Sequence, residues 1–413
     1  MTQAAAPSRP PMLTMAQALD ALLSAARPLA QVEQVDTLDA NGRVLAAPVA
    51  STLRVPPADN TSMDGYVMRA ADVPAAGTRL RVSQRIPAGH VGTELEPGTA
   101  ARIFTGGLIP PGADAVVMQE QCTAEGEDVI INHVPQSGEW IRRAGEDIEA
   151  GSVILPAGTR LTPQALGLAA SVGQAKLDVV RRVRVAVFFT GDELAMPGEP
   201  LRPGAIYNSN RFTLRGLLEN LGCEVSDFGI VPDTLAATRE TLRRAAQGHD
   251  LIITSGGVSV GEEDHIKPAV EAEGRLDMWQ IAIKPGKPLA FGQVNSAGSE
   301  PAFFLGLPGN PVSSFVTFLL FVRPFILRLQ GVADVAPRRL PLRADFELKK
   351  GDRRNEFLRA RINGEGGLDL FPNQSSGVLT STVWGDGLVD NPPNQAIARG
   401  DTVQFIPFDG LLA

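Results

Sequence analysis

The apolar positions of this chain fall into stretches of different texture. Met15, Leu19, Leu22 and Leu23 recur at helical spacing behind Thr14, which predicts a capped helix running to about Ala26. Residues 1–12 carry no such period and read as a disordered tail. From about 50 to 146, short apolar runs (RLRVSQRI, ARIF, AVVMQ, VIINHV) alternate with Gly and Pro turns, predicting a β-rich unit without a long helix. TPQALGLAASVG, residues 162–173, predicts a helix with Thr162 as cap and Pro163 at its first position.

From about 183 the rhythm alternates. VRVAVFF, continuously apolar, predicts a strand buried on both faces. A helix follows at about 209–221, a short strand at 223–228, a helix over TLAATRETLRRAAQ capped by Thr234, and a strand in DLIITSGG. That order predicts a parallel sheet with helices on both faces. VSSFVTFLLFVRPFILRL, 312–329, is long enough to cross a bilayer, but Arg323 and Pro324 interrupt it and it reads as a buried helix. After about 337 the short runs RLPLRADFEL, EFLRARI and LDLFPN predict a small all-β C-terminal domain.

Composition narrows the function. The 413 residues suggest about two to four domains. A net charge of −8 argues against a general nucleic-acid or membrane-surface binder, so an anionic ligand would have to be held locally, by backbone amides, a few lysines or a metal. The two cysteines, Cys122 and Cys223, have no CxxC spacing, which excludes a cysteine-rich zinc or iron–sulfur site and fits a reducing compartment. With no signal-peptide run at the N-terminus, a cytoplasmic protein is expected.

Ligands of open α/β sheets bind at the carboxyl ends of the strands. Three such ends carry candidate chemistry: FFTGDEL (188–194), GIVPD (229–233) and TSGGVSVGEEDH (254–265). Each joins Gly or hydroxyl groups to an acid, Glu193, Asp233 or Asp264. Glycine lets amides turn toward an anion. Acids at the same rim are tolerable when a magnesium ion lies between them and a phosphate. The plainer reading leaves Glu262 and Glu263 solvated and Asp264 as a helix cap. In IAIKPGKPLAFG, Lys284 and Lys287 flank a Pro-Gly turn, which suits an oxyanion or a solvated surface turn. LGLPGNPVSSF places Asn310, Ser313 and Ser314 at a helix start, where they can bind an anion, cap the helix, or both. Upstream, VPPADNTSMDGYVMR holds Asp59 and Asp64, TGGLIPPGADAVV holds Thr105, and RRAGEDI holds Glu146 and Asp147. By chemistry alone each of these reads first as a structural turn.

Taken in order, DNTSMDGY, TGGLIPPGAD, GEDI, TGDEL, SGGVSVGEEDH, IAIKPGKPLAFG and LPGNPVSS resemble the MoeA family, which includes the E domain of gephyrin and plant counterparts. The resemblance runs from about residue 12 to the end and is thinnest at the C-terminus, in RRNEF (353–357) and QSSG (374–377). It implies a multidomain α/β plus β fold: a discontinuous N-terminal domain (12–50 and 148–182), a β-rich insertion domain (51–147), a MogA-like parallel α/β sheet domain (183–332) and a small C-terminal β-barrel domain (333–413). The implied activity is insertion of molybdate into adenylylated molybdopterin, assisted by Mg²⁺, with release of AMP. The implied partners are a second copy in a homodimer, the adenylyltransferase that makes the substrate, and acceptor molybdoenzymes, with neither nucleic acid nor membrane.

The resemblance also assigns residues. Glu193, Asp233 and Asp264 are on the metal side, and Thr190, Gly191, Ser255, Gly256 and Gly257 hold the molybdopterin phosphates. Lys284, Lys287, Ser313, Arg354 and Ser376 match the molybdate positions, with Arg353 and Ser375 as neighbours hard to separate from two of them. Asp59, Thr105 and Asp147 match positions important for activity, reaching a partner subunit's cleft. His265 departs from the Tyr common at its position. Three rival readings are a molybdopterin adenylyltransferase, which needs neither the insertion nor the C-terminal domain, a non-catalytic scaffold, which needs no intact acids, lysines and serines, and a tungstate-inserting relative.

Overall fold

The expected N-terminal helix forms over Met15–Ala25, and its cap closes reciprocally: the Gln17 amide donates to Thr14 Oγ1 at 3.2 Å and the Thr14 amide to Gln17 Oε1 at 2.9 Å. This computed structural model describes residues 12–258, 265–298 and 300–412, so Glu262, Glu263 and Asp264 lie outside the described residues. The chain gathers into two units. One holds 34–41 and 47–177; the other holds the chain up to 33, 42–46 and everything from 178 onward.

The first unit is built on a six-stranded sheet in the order Ala115–Met118, Gly65–Met68, Thr99–Ile103, Thr78–Ile86, Asp128–Ile131, Cys122–Glu125. Alternate residues of these strands feed two small cores, Tyr66, Met68 and Val117 in one, Val67, Ile103 and Val116 in the other. That is the period of two expected of strands packed on both faces. The predicted helix stands at Pro163–Ser171, with the Thr162 hydroxyl capping it.

In the second unit a mixed sheet carries the helices. Its elements are β1 (Arg184–Thr190), α1 (Ser209–Asn220), β2 (Glu224–Val231), α2 (Leu235–Ala246), β3 (Leu251–Ser255), α3 (Ile266–Glu273), β4 (Gly274–Gln280), β5 (Pro288–Val294), β6 (Ala302–Leu307) and α4 (Pro311–Leu329). The strand order is β2-β1-β3-β6-β5-β4. The first four are mutually parallel, as expected, and β5 and β4 add antiparallel pairings at one edge. The reason is connection length. Seven residues, 281–287, separate β4 from β5, and a parallel crossover needs about a dozen or more.

Both faces of the sheet are dry. Val185, Val187 and Phe189 pack with α1 and α4, while Ala186 and Phe188 pack with α2 and α3. α4 passes through a π-helical turn at Phe318–Val322, just before Arg323 and Pro324. Although it is long and apolar enough to span a bilayer, 94% of its apolar window is buried within the protein.

The C-terminal strands Leu340–Arg343, Thr402–Pro407, Gly387–Asn391, Asn355–Ile362 and Leu368–Leu370 pair in that order, and an Ala344–Leu368 bridge closes the circuit into a small barrel. Ile283–Lys284, from the turn between β4 and β5, adds to this barrel as a parallel neighbour of Asn355–Glu356. The lysine turn is therefore fixed on one side by the mixed sheet and on the other by the barrel.

Candidate functional site

The strand order reverses between β1 and β3, since the chain leaves β1 for β2 on one side and reaches β3 on the other. Such a switch point opens a crevice at the carboxyl ends. Thr190 and Gly191 end β1; Ser255, Gly256 and Gly257 end β3, and the sequence-predicted phosphate group is thus brought together. Phe189 lies in register with Ser255, and Ser255 with Leu307 of β6. Gly256 has φ +103°, and a Cβ there would lie 2.7 Å from the Thr190 carbonyl oxygen. The two loops therefore meet backbone to backbone, which only glycine permits. Thr190 is 5% exposed and its Oγ1 has no partner among the described residues. A buried hydroxyl left without a partner costs about 1–3 kcal/mol, so a ligand that bonds it gains that amount back.

The Ser255 hydroxyl is turned to protein partners. It donates to the Pro308 carbonyl at 2.9 Å and accepts from Asn210 Nδ2 at 2.8 Å. Asn210 also donates to the Gly309 carbonyl at 2.8 Å. One hydroxyl has one proton to give, and this one holds the β3 and β6 loops together. Asn210 escapes sequence reasoning because YNSNRF reads as a helix start. The cap there is Asn208, which accepts from the Arg211 amide at 3.2 Å.

Glu193 follows β1 by three residues and Asp233 follows β2 by two, on strands paired at Thr190 and Val231. Both acids thus leave adjacent strand ends. The Glu193 carboxylate folds back toward Gly191, where a Cβ would meet its oxygens at 2.8 and 2.9 Å. Among the described residues no three His, Cys, Asp or Glu side chains gather as a metal cage. Magnesium needs no such cage: one or two carboxylates beside phosphate oxygens suffice, and Glu193 and Asp233 offer that set.

A cleft of about 760 Å³ opens where the lysine turn meets the barrel, lined by Lys284, Lys287, Lys350, Arg353 and Arg354 among others. Lys284 Nζ donates to Glu356 Oε1 at 2.9 Å and lies 3.5 Å from Asp352. Arg354 grips Asp352 through two bonds of 3.0 Å. The Arg354 guanidinium, with the Arg354 amide and Lys284, holds the Asp352 carboxyl far below its usual range. Gly286, inside the turn, has φ +105°, and a Cβ there would lie 2.5 Å from Thr317 Oγ1 on α4. Ser313 is buried on the first turn of α4, and the neighbouring Val312 amide donates to the Ser376 carbonyl at 3.0 Å, so Ser313 and Ser376 share one helix end.

Sequence reasoning passed over Arg359. It is 1% exposed and, among the described residues, bonds only neutral oxygens: Ser381 Oγ at 3.0 Å and the Phe357 and Ser375 carbonyls at 3.3 Å. Burial pulls its pKa down to about 10. Gln374 fastens the same loop, accepting from the Arg359 amide at 2.9 Å and donating to the Arg359 carbonyl at 3.0 Å. Arg354 is matched by a carboxylate, whereas Arg359 has none among the described residues. The signal available in EFLRARI was an arginine inside a continuously buried run, Glu356–Ala360.

The remaining motif residues converge in the other unit. Asp64 Oδ1 accepts from the Thr105 amide at 2.7 Å and its hydroxyl at 2.8 Å. These bonds, the amide first, keep the Asp64 carboxyl below its ordinary range. Asp59 instead accepts from the Ala144 amide at 2.8 Å and from Arg143 Nη1 at 2.6 Å, and the Ala144 amide leads in lowering its pKa. The Asp147 amide donates to the Val55 carbonyl at 3.0 Å, leaving an exposed carboxylate beside this cluster. Phe104, next to Thr105, has the Arg85 and Arg102 guanidiniums over its ring, each 4.5 Å from the ring centre. So the three loops do meet, and Asp64 rather than Asp59 is the acid that touches Thr105.

Three family models match the chain: the MoeA N-terminal region (domain I and II) over residues 13–173, a probable molybdopterin binding domain over 186–328, and the MoeA C-terminal region (domain IV) over 341–408. A molybdopterin molybdenumtransferase of Haemophilus influenzae is 41% identical over 412 residues, covering 97% of this chain and all of that protein. One of a Nostoc species is 40% identical, covering 82% of this chain and 79% of its own. Among solved structures, the molybdopterin biosynthesis moeA protein of Pyrococcus horikoshii OT3 superposes with a TM-score of 0.82 at 28% identity, covering 96% of this chain and all of that one.

Proposed function

The chain belongs to the MoeA family of molybdopterin molybdenumtransferases, enzymes of molybdenum cofactor biosynthesis, and from that premise we propose that it inserts molybdate into adenylylated molybdopterin with Mg²⁺ and releases AMP. The observation that carries this reading is the switch-point crevice, where Gly256 meets the Thr190 backbone beside an unpartnered buried hydroxyl.

In this reading the amides after Thr190 and Ser255 hold the diphosphate and the Thr190 hydroxyl donates to one of its oxygens. Glu193 and Asp233 hold Mg²⁺ from adjacent strand ends, and Asp264, outside the described residues, is proposed with them. The ion would neutralise phosphate charge and polarise the bond to be cleaved. Lys284, Lys287, Ser313 and Ser376 take the molybdate dianion, with Arg354 kept from the sequence assignment and Arg359 added because it lacks a carboxylate. Water, or a molybdate oxygen whose Mo–O bond then breaks, attacks phosphorus; the P–O–P link is cleaved and AMP leaves with the bridging oxygen or the new one, while the two dithiolene sulfurs replace one oxo ligand of molybdate, which departs as water with the thiol protons. Asp64 would fix the Thr105 loop, with Asp59 and Asp147 on the loops beside it. We further propose a cytoplasmic homodimer; Ile206, Tyr207 and Phe212 offer exposed apolar surface for a second copy. The adenylyltransferase and acceptor molybdoenzymes are proposed as transient partners.

A single-turnover assay tests the reaction. Purified protein, adenylylated molybdopterin, Mg²⁺ and molybdate are mixed and AMP is followed by chromatography, with molybdate omitted or replaced by tungstate in parallel. Molybdate-dependent AMP release that an Asp233→Ala variant lacks is expected. Binding without AMP release by folded protein would refute the transferase reading, and release with tungstate alone would point to tungsten insertion.

A further inference from the structure

The cleft beside Lys284 and Lys287 is larger and more cationic than one tetrahedral oxyanion requires. Its volume of about 760 Å³ lies in the range of sites that enclose whole organic ligands. Lys284 is matched by Glu356 and Arg354 by Asp352. Lys287, Lys350 and Arg353 line the same cleft with no carboxylate within 4.0 Å among the described residues. Two of these three cations, Lys350 and Arg353, sit on one loop, on the barrel side of the cleft.

That loop is pinned. Leu348 exchanges backbone hydrogen bonds with Ile397 at 2.8 and 3.0 Å, and the Asn394 amide donates to the Asp352 carbonyl at 2.7 Å. Gly351 lies so close to its neighbour that a Cβ would fall 2.4 Å from the Gln395 carbonyl oxygen. Asp352, between the two cations in sequence, donates its amide to Glu356 Oε2 at 2.9 Å. Asn394, also in the cleft lining, is held at φ +62°, a conformation rare outside glycine. Two donors of a fixed backbone have less freedom to lose on binding. Lysine and arginine together suit a phosphate, the first as a point charge and the second as a fork.

We propose that Lys350 and Arg353, with Asn394, form a second anion subsite in this cleft that takes a phosphate group, separate from the oxyanion subsite at Lys284 and Lys287. The subsite stands on the cleft alone; the transferase reading, which sets the substrate's one diphosphate at the switch-point crevice, does not enter it.

The test is calorimetric titration of the full-length protein at low ionic strength, with Mg²⁺ left out so that the switch-point crevice cannot hold phosphate through the ion, and with AMP, inorganic phosphate and molybdate as separate probes. Replacing both cations (Lys350→Gln with Arg353→Gln) is expected to weaken AMP and phosphate about tenfold or more and to change molybdate less than about threefold. The charge-keeping pair Lys350→Arg with Arg353→Lys is expected to retain AMP and phosphate binding, which separates charge from damage to the loop. Phosphate bound as tightly as AMP would assign the subsite to the free anion, and tighter AMP to an organic ester; either supports it. Unchanged affinities in the neutral pair, or an equal loss for molybdate, overturns it. Protein that binds AMP through these two residues but releases none in the single-turnover assay upholds the subsite while the transferase reading fails.

Discussion

Gly256 is the position where one methyl group tests the whole account of the switch point. Its φ of +103° is outside the range an L side chain adopts comfortably, and its Cβ would meet the Thr190 carbonyl oxygen at 2.7 Å. Holding alanine there costs about 1–3 kcal/mol in backbone strain. The contact can be relieved only by parting the β1 and β3 loops, because the atom in the way is main chain. At about 2–4 °C per kcal/mol for a unit of this size, Gly256→Ala should lower Tm by roughly 2–12 °C. Gly309→Ala is the control: its Cβ would lie 3.7 Å from the Gly256 Cα, an ordinary contact, in a backbone outside the left-handed region. Its Tm should stay within about 1 °C of wild type. Thermal melts by circular dichroism measure both, and AMP titration at a temperature where all three proteins are folded measures the crevice. Gly256→Ala should bind AMP and release it in the single-turnover assay at least about tenfold less well, a loss of about 1.4 kcal/mol. If it melts and binds like wild type, or if Gly309→Ala is equally damaged, the backbone-to-backbone contact is not what shapes the site.

Other expectations follow from the same geometry. Asp64→Ala frees the Thr105 amide and hydroxyl and should slow AMP release about tenfold or more, with Asp59→Ala, which frees Arg143 and Ala144 instead, serving as the comparison; equal effects would remove the special place given to Asp64. Arg359→Lys keeps the charge but loses the fork that reaches Ser375 and Ser381, so molybdate affinity by calorimetry should fall about tenfold, more than in Arg354→Lys. Asp345 has its carboxyl held down, from 3.8 to about 2, by Arg343 first and then Asn363. A lowered acid stabilises the fold fully above the unfolded value and loses that contribution as pH falls through the folded one. The urea midpoint of wild type should therefore decline between pH 4 and 2 more steeply than that of Asp345→Asn, and parallel curves would show the Arg343–Asp345 pair to be inert.

The sequence by itself determined the kinds of element and where the chemistry would lie along the chain. Thr14, Thr162 and Thr234 all cap the helices expected behind them, because a cap needs only a hydroxyl and an amide three residues away. The continuous apolar runs became strands covered on both faces, and Gly256 stands at a strand end where the chain must turn with positive φ. These are properties of a few adjacent residues, so periodicity and turn chemistry suffice to read them.

The tertiary structure decided the partners. Asp59 and Asp64 are equivalent in sequence, yet Asp64 meets a threonine 41 residues away while Asp59 meets an arginine 84 away. Lys284 is claimed by a glutamate 72 residues on, and Arg354 by an aspartate two residues back, while Arg359 is buried with no carboxylate partner among the described residues. The antiparallel edge and the strand that ties the lysine turn to the barrel were hidden for the same reason. Periodicity reports which face of an element is dry, and says nothing of which distant segment will lie against it or which charge will already be matched there.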